Sequence, residues 1–278
     1  MSNASDLASG KGHKDENFPV ASLLKPQHRA PILAFYRFAR AADDVADNAG
    51  ASADEKLALL GAMRASISGT SDADAVSVDL RGVMAAHRLD PVHALDLLTA
   101  FERDCTIDRY QTWDDLIDYC RYSAMPVGRY VLDVHGEDRA LWPANDALCA
   151  ALQVINHLQD CGKDYRAIGR VYIPLAALAR RGAQVTDLGH DASTPALHGT
   201  IIDIGNQTLR LLADSKRFAR GIRDRRLGME VAIIQRLAED LTRRVKKRDP
   251  LCDKVHHGKI EMARIAGGAM LSYLVGRA

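Results

Sequence analysis

Two sets of oxygen-bearing side chains recur along the chain at the spacing that places them on one side of a helix. Asp43 and Asp47 lie four positions apart in the run 41–47, so their carboxylates face the same way, one helical turn apart. Like charges at this spacing repel each other and add nothing to the stability of an isolated helix. Mg²⁺ could supply the missing stabilisation, because it prefers carboxylate oxygens together with water and phosphate.

The second set is Gln153, Asn156, Asp160 and Asp164, whose steps of three, four and four residues mark a single helical stripe. Apolar neighbours such as Val154 surround this stripe, and burying it without a ligand or a partner would be costly. One pair of acids is most simply a solvated surface. Two such stripes, both embedded in apolar helices, favour a metal site, and facing each other across a bundle they could hold a metal cluster and a diphosphate.

Apolar periodicity predicts the helices that must position these stripes. Between His28 and Asp47 the apolar residues recur at three- and four-residue steps, as in a packed helix. Further helices are predicted at Ala53–Ser68, Ala73–Ala86, Pro91–Asp104, Trp113–Val134, Ala144–Tyr165, Leu175–Arg180, Thr194–Arg220, Arg226–Lys247 and Lys254–Tyr273. No strand pattern competes, and short turns separate the helices. We therefore expect a flexible N-terminal tail at residues 1–12 and one helical domain at 13–278.

Composition narrows the class of protein. With 47% hydrophobic and 26% charged residues the chain can bury a substantial core. A formal net charge of +1 gives no basic excess for nucleic acid. The five cysteines form no Cys-x-x-Cys pair and the first twenty residues contain no apolar signal segment, so a cytoplasmic location is expected. No apolar run reaches the length of a membrane-spanning helix.

The two stripes, with Arg40 three residues before Asp43, resemble the paired Asp-x-x-x-Asp motifs of squalene and phytoene synthases. The resemblance continues through Tyr36, the stretch 119–128 and the run 169–174, which reads Gly-Arg-Val-Tyr-Ile-Pro and is similar to the family's Gly-Arg-x-Tyr-x-Pro signature. It extends from about Asn17 to the C-terminal helix. The fold it implies is an all-α, single-domain isoprenoid synthase bundle with a central active-site cavity.

The resemblance also implies a set of site residues. The metal ligands would be Asp43, Asp47, Asp160 and Asp164, binding Mg²⁺, with Mn²⁺ as an alternative. The catalytic residues would be Tyr36, Arg40, Tyr119, Arg170 and Tyr172. The substrate-binding residues would be Asn17, Phe18, Val127, Gly128, Gln153 and Asn156. In this arrangement Arg40, Arg170 and Tyr172 would stabilise the leaving diphosphate.

Two departures from the usual family pattern point to one branch. The stretch 14–22 carries acidic residues where most members have hydroxyl and basic ones, and 123–128 reads Ser-Ala-Met-Pro-Val-Gly. Both are similar to the bacterial hydroxysqualene synthases of hopanoid biosynthesis, which take presqualene diphosphate coupled by a partner enzyme and add water. This branch would act as a carbon–oxygen lyase without NADPH, and a presqualene diphosphate synthase could hand over its product.

Alternative functions stay open. Within the family, the chain could instead be a prenyltransferase that couples two prenyl diphosphates head to head to presqualene diphosphate, squalene or phytoene. From another class, it could be a helical binding or assembly protein that has lost its chemistry. Asn17, Tyr119 or His157 could orient the attacking water, although a single helical histidine is more often a packed residue. The basic run 243–248 could contact anionic lipids at the inner face of the membrane, or be a solvated helix end.

Overall fold

The computed structural model describes residues 25–276, and within this range the chain forms twelve α-helices. They are α1 (Pro26–Ala46), α2 (Ala53–Ile67), α3 (Ala75–His87), α4 (Val92–Asp104), α5 (Trp113–Ser123), α6 (Met125–Val134), α7 (Trp142–Ile168), α8 (Leu175–Arg181), α9 (Pro195–Asp214), α10 (Phe218–Gly221), α11 (Arg225–Val245) and α12 (Lys259–Leu274). Over these residues, β pairing consists of one isolated bridge between Arg109 and Val171. The prediction of an all-helical fold is confirmed.

The described helices group into two compact units. The first contains residues 25–107 and Tyr122–Arg139, and so includes α1 to α4 and α6. The second contains Asp108–Arg121 and 140–276, and so includes most of α5 and all of α7 to α12. None of the helices within residues 25–276 combines the length and the hydropathy needed to cross a bilayer.

Helix α1 is held in the core of the first unit. Its residues Phe35 and Phe38 are buried among apolar side chains of α2, α3 and α4, and each such side chain contributes about 1.5–3 kcal/mol. The ring of Tyr130 on α6 stacks on Phe35 with centroids 3.9 Å apart, and its hydroxyl donates to the Pro31 carbonyl at 3.2 Å. These contacts fix the orientation of α1 and therefore of the acidic residues near its end.

Helix α7 is the longest element of the second unit. It packs against α9 and α11 and buries one apolar side that includes Val154, Ile155 and Leu158. Its C-cap residue is Gly169, whose φ of +69° lies in the left-handed region that glycine adopts without strain. The chain then turns into the extended segment that begins at Arg170.

Two predicted helices are each broken in the structure, so those two boundaries were wrong. The prediction of one helix over 113–134 fails at Ala124, whose backbone is not helical. The cause is Pro126, which has no N–H to donate to the preceding turn. The helix predicted over 194–220 stops at Asp214. Here the Gln235 side chain donates to the Leu212 carbonyl at 2.8 Å. This carbonyl lies in the last turn of α9 and has no partner within the helix, so the side chain supplies a hydrogen bond to it.

Candidate active site

The C-terminal end of α1 concentrates negative charge. Asp43 and Asp44 lie in the last turn of α1, and Asp47 is its C-cap residue. The helix dipole is negative at this end, so carboxylates are unfavourable here and a cation is favourable. Lys56 supplies one cation, since its Nζ donates to the Ala46 carbonyl at 2.9 Å. The cluster of three carboxylates has the donor chemistry that Mg²⁺ requires.

Arg40 pairs with two of these acids. Its Nη1 lies 2.9 Å from Oδ2 of Asp43, and its Nη2 lies 2.8 Å from Oδ1 of Asp44. Burial acts to lower the pKa of Arg40, but the two carboxylates outweigh it and raise the pKa. Arg40 therefore stays charged and fixes the last turn of α1. Sequence reasoning missed this role of Asp44, although its position four residues after Arg40 could have indicated the pair.

The three acids differ in accessibility. The Asp44 side chain is only 5% exposed, whereas that of Asp43 is 37% exposed. Asp47 is exposed. The predicted pair, Asp43 and Asp47, is thus the pair that a ligand can reach, while Asp44 serves Arg40 from inside the unit.

An apolar pocket lies beside this end of α1. It has a volume of about 250 Å³, and Arg40 and Asp43 supply its charged wall. The remaining lining residues are Ile32, Phe35, Tyr36, Ala39, Phe101, Val127, Tyr130 and Val131. Four residues predicted from the sequence, Tyr36, Arg40, Asp43 and Val127, are therefore brought together. Gly128, which follows Val127 on α6, is half-buried.

The α7 stripe has the predicted arrangement within the second unit. Gln153, Asn156, Asp160 and Asp164 all lie on α7 and all are half-buried. The side-chain Oδ1 of Asn156 is buried and has no hydrogen-bond partner among the described residues. A buried amide oxygen without a partner is costly, so this side of α7 is suited to a ligand that provides a donor or a cation.

Four rings form an aromatic cluster beside α7. His157 and Tyr172 stack with their centroids 3.5 Å apart, and Tyr119 lies 5.6 Å from Tyr172 and 6.1 Å from His157. Tyr110 stacks on Tyr172 at 5.8 Å. Sequence reasoning named Tyr119 and Tyr172 but missed Tyr110, because its place in the cluster depends on tertiary contacts that no local pattern records.

Arg170 extends this cluster with a cation. Its Nη1 donates to the Tyr172 hydroxyl at 3.1 Å, and its side chain is buried with only 9% of the residue exposed. The predicted pair Arg170 and Tyr172 is thus pre-arranged, because the arginine fixes the phenol from the segment that follows α7. Together the two offer several donors in a fixed geometry for a polyanionic group.

His157 is a buried neutral base. Burial, assisted by the nearby Arg170 charge, lowers its pKa to about 3, so the imidazole is uncharged near neutral pH. Its Nε2 is buried and makes no hydrogen bond to any described residue. An orphaned nitrogen of this kind commonly marks a bound water or a functional contact.

The depressed pKa of His157 should make stability depend on pH. Because the pKa is 6.5 for a free imidazole and about 3 in the folded chain, the unfolded chain binds more protons between these values. The contribution of neutral His157 to the free energy of unfolding should be complete above pH 6.5. As the pH falls from 6.5 towards 3, this free energy should decrease by up to about 1.4 kcal/mol per pH unit. Urea unfolding of wild type and His157→Phe at a series of pH values should show a flatter acid limb for the variant. Equal dependence of the free energy of unfolding on pH in wild type and variant would contradict a lowered pKa for His157.

The remaining predicted residues, Asn17 and Phe18, lie outside the described residues, as does the N-terminal tail predicted at 1–12. The five cysteines are free thiols. Burial raises the pKa of Cys120 and of Cys161 to about 12, so neither is a nucleophile near neutral pH.

Comparison with known proteins identifies the family. Residues 11–264 match the squalene/phytoene synthase family. The chain is 55% identical to a hydroxysqualene synthase of Zymomonas mobilis, over 95% of this chain and 90% of the relative. It is 50% identical to a hydroxysqualene synthase of Rhodopseudomonas palustris, over 100% and 95% of the two chains.

A solved structure agrees with this match. The crystal structure of squalene synthase HpnC from Alicyclobacillus acidocaldarius superposes with a TM-score of 0.75 at 28% identity, covering 88% of this chain and 92% of that one. The predicted helical isoprenoid synthase fold is therefore confirmed. The chain belongs to the squalene/phytoene synthase family.

Proposed function

We propose that this protein is a hydroxysqualene synthase, which converts presqualene diphosphate and water to hydroxysqualene and diphosphate. The observation that carries the proposal is the pocket beside α1, where an apolar cavity of about 250 Å³ is bounded by Arg40 and Asp43. A hydrocarbon chain that bears a diphosphate needs this combination of an apolar wall and a charged end. The two relatives compared above, which carry the same name, support the choice of substrate.

The proposed metal ligands are Asp43, Asp47, Asp160 and Asp164. The fit is supported by the carboxylates at the negative end of α1 and by the orphaned Asn156 oxygen on the α7 stripe. Bound Mg²⁺, or Mn²⁺ in its place, would neutralise charge on the departing diphosphate. No NADPH is required, because the proposed reaction reduces no carbon.

The reaction breaks a carbon–oxygen bond, and the diphosphate leaves with the electron pair. Arg170 and the Tyr172 hydroxyl donate hydrogen bonds to the diphosphate, and these strengthen as the carbon–oxygen bond breaks because the leaving group gains negative charge. We assign Tyr36 and Tyr119 the role of stabilising the carbocation, because the face of an aromatic ring favours a nearby cation by about 0.5–2 kcal/mol. The apolar residues around Val127 keep bulk water away while the cation rearranges.

The hydroxylated product requires that one water reach the rearranged cation. We assign His157 the role of holding this water, because its buried Nε2 lacks any partner among the described residues and its imidazole is neutral. The water oxygen forms the new carbon–oxygen bond, and the proton it loses passes to the imidazole or to the released diphosphate. The stack on Tyr172 fixes the orientation of the ring.

Incubation with single substrates tests this function. Purified protein with Mg²⁺ should convert presqualene diphosphate to hydroxysqualene and leave farnesyl diphosphate unchanged, as analysed by gas chromatography and mass spectrometry. Conversion of farnesyl diphosphate would instead identify a head-to-head prenyltransferase. Release of squalene only when NADPH is added would exclude the hydroxylated product.

The cellular setting follows from the substrate. Presqualene diphosphate must come from a separate coupling enzyme, and direct hand-over between the two is part of the proposal. A cytoplasmic location is supported by the five free thiols.

A further inference from the structure

The C-terminal helix α12 is charged only near its start and carries no charged residue after Arg264. Over Lys259–Leu274 its only charged residues are Lys259, Glu261 and Arg264. One side packs on α11, where Glu261 accepts from Arg244 through both carboxylate oxygens at 3.0 and 3.1 Å. The apolar face of a helix is normally covered by another element.

The opposite side of α12 is uncovered by the described chain. Ile260 is 85% exposed, Leu271 is 66% exposed, and Leu274 and Val275 are each 59% exposed. Elsewhere in residues 25–276 the exposed large hydrophobic side chains reach 43% at most. Clustered apolar exposure of this degree marks an interaction site.

A basic segment adjoins the C-terminal end of α12. The exposed cations in it are Lys216, Arg217, Arg220, Arg223, Arg225 and Arg226. Arg220 donates from Nη2 to the Gly276 carbonyl. The Tyr273 hydroxyl lies against Gly228, in space that a Cβ there would occupy. The basic segment and the exposed Leu271 and Leu274 therefore lie at the same end of the second unit.

Cations outnumber acids within this segment. Between 214 and 226 there are six cations and two acids, Asp214 and Asp224. Asp224 already caps α11, since its Oδ1 accepts from the Arg226 and Leu227 amides at 2.9 and 3.3 Å. The stretch 214–226 thus has four more cations than acids, whereas the whole chain has a net charge of only +1.

The basic run 243–248, which the sequence suggested for lipid contact, is largely engaged within the protein. Arg244 pairs with Asp240 at 2.5 Å, and Arg243 lies 3.6 Å from Glu239. Arg248 donates to the Lys254 carbonyl at 3.1 Å. These contacts make the run a poorer candidate for phosphate groups than the segment 216–226.

We propose that the exposed side of α12 and the basic segment 216–226 together dock the protein on an anionic lipid surface. Leu271, Leu274 and Val275 would enter the boundary between headgroups and acyl chains, while the arginines contact lipid phosphates. A lipid surface satisfies both features at once, because it is apolar within and negatively charged at its border. The inference does not depend on the proposed reaction, although a water-insoluble substrate would give such docking a use.

Flotation with vesicles of phosphatidylcholine alone, or with added phosphatidylglycerol, tests the proposal. The full chain should bind the anionic vesicles, and Leu271→Glu/Leu274→Glu should reduce binding by at least tenfold. Val92→Glu, an exposed hydrophobic residue on α4 that is 38% exposed, should leave binding unchanged. Thermal melting and turnover of detergent-dispersed substrate should be the same for all variants. This control would show that each variant is folded.

The basic segment 216–226 is tested by a separate pair of double variants. Arg217→Gln/Arg226→Gln should weaken binding to anionic vesicles by about 30-fold, and Arg243→Gln/Lys247→Gln should not. Equal binding by wild type and the leucine double variant would overturn the proposal. A second result would also overturn it. If light scattering shows a dimer of the wild type that the leucine double variant disrupts, and neither protein binds vesicles, the exposed side of α12 binds a second copy of the chain and not a lipid surface.

Discussion

Asp43→Asn and Asp160→Asn are each expected to lower the magnesium-dependent release of diphosphate from presqualene diphosphate by about 10³-fold or more. A metal ion stabilises developing charge by several kcal/mol, and each 1.36 kcal/mol is about tenfold in rate. Asparagine keeps the shape of the side chain but removes the charge that would bind the metal. The rate is followed by a coupled pyrophosphate assay at saturating substrate and Mg²⁺.

The control for this pair is Asp54→Asn. Asp54 is an exposed acid in the first turn of α2, so its replacement should leave the rate unchanged. Equal background release in wild type and both variants would instead indicate a helical binding protein without this chemistry.

The double variant Asp43→Asn/Asp160→Asn shows whether α1 and α7 act together or independently. If α1 and α7 act on one diphosphate, Asp43→Asn/Asp160→Asn should be little slower than the slower single variant, because groups that act as a unit are not additive. A loss equal to the product of the two single losses would show that the two helices contribute separately. Asp→Glu variants at both positions keep the rates above background and allow the same comparison.

His157→Leu is expected to change the product. Without a held water the rearranged cation should lose a proton, so a hydrocarbon should replace most of the hydroxysqualene. Diphosphate release should stay within about tenfold of wild type, because in the proposed reaction His157 acts after the ionisation step and so does not stabilise its transition state. Products are separated by gas chromatography and diphosphate is measured in the same samples.

A conservative variant completes this test. His157→Gln keeps a side-chain hydrogen-bonding group and should restore part of the hydroxylated product. If His157→Leu makes hydroxysqualene in the wild-type proportion, the histidine is a packing residue of the aromatic cluster and the water is held elsewhere.

The helices and their acidic stripes could be predicted because both depend on local periodicity. The three- and four-residue steps that predicted a helix up to Asp47 also placed Asp43 and Asp47 on one side, and the structure ends α1 at Ala46 with Asp47 as its cap. On α7 the same rule placed Gln153 to Asp164 on one half-buried stripe. The use of these residues as metal ligands stays a prediction.

Other features depend on contacts between distant residues. Phe101 and Val131 line the α1 pocket from α4 and α6, and Tyr110 joins the aromatic cluster from the segment before α5. No periodicity within one helix indicates which helices will meet. The break at Ala124 was different, because Pro126 was visible in the sequence and its missing N–H could have been used.

Incorporation of heavy oxygen tests the central claim most directly. Presqualene diphosphate is incubated with the protein and Mg²⁺ in water labelled with ¹⁸O, and the product alcohol is analysed by mass spectrometry. Ionisation followed by water capture predicts hydroxysqualene that carries one ¹⁸O atom in every molecule. An unlabelled alcohol that retains the presqualene skeleton would show cleavage of the phosphorus–oxygen bond, and it would contradict the proposed reaction.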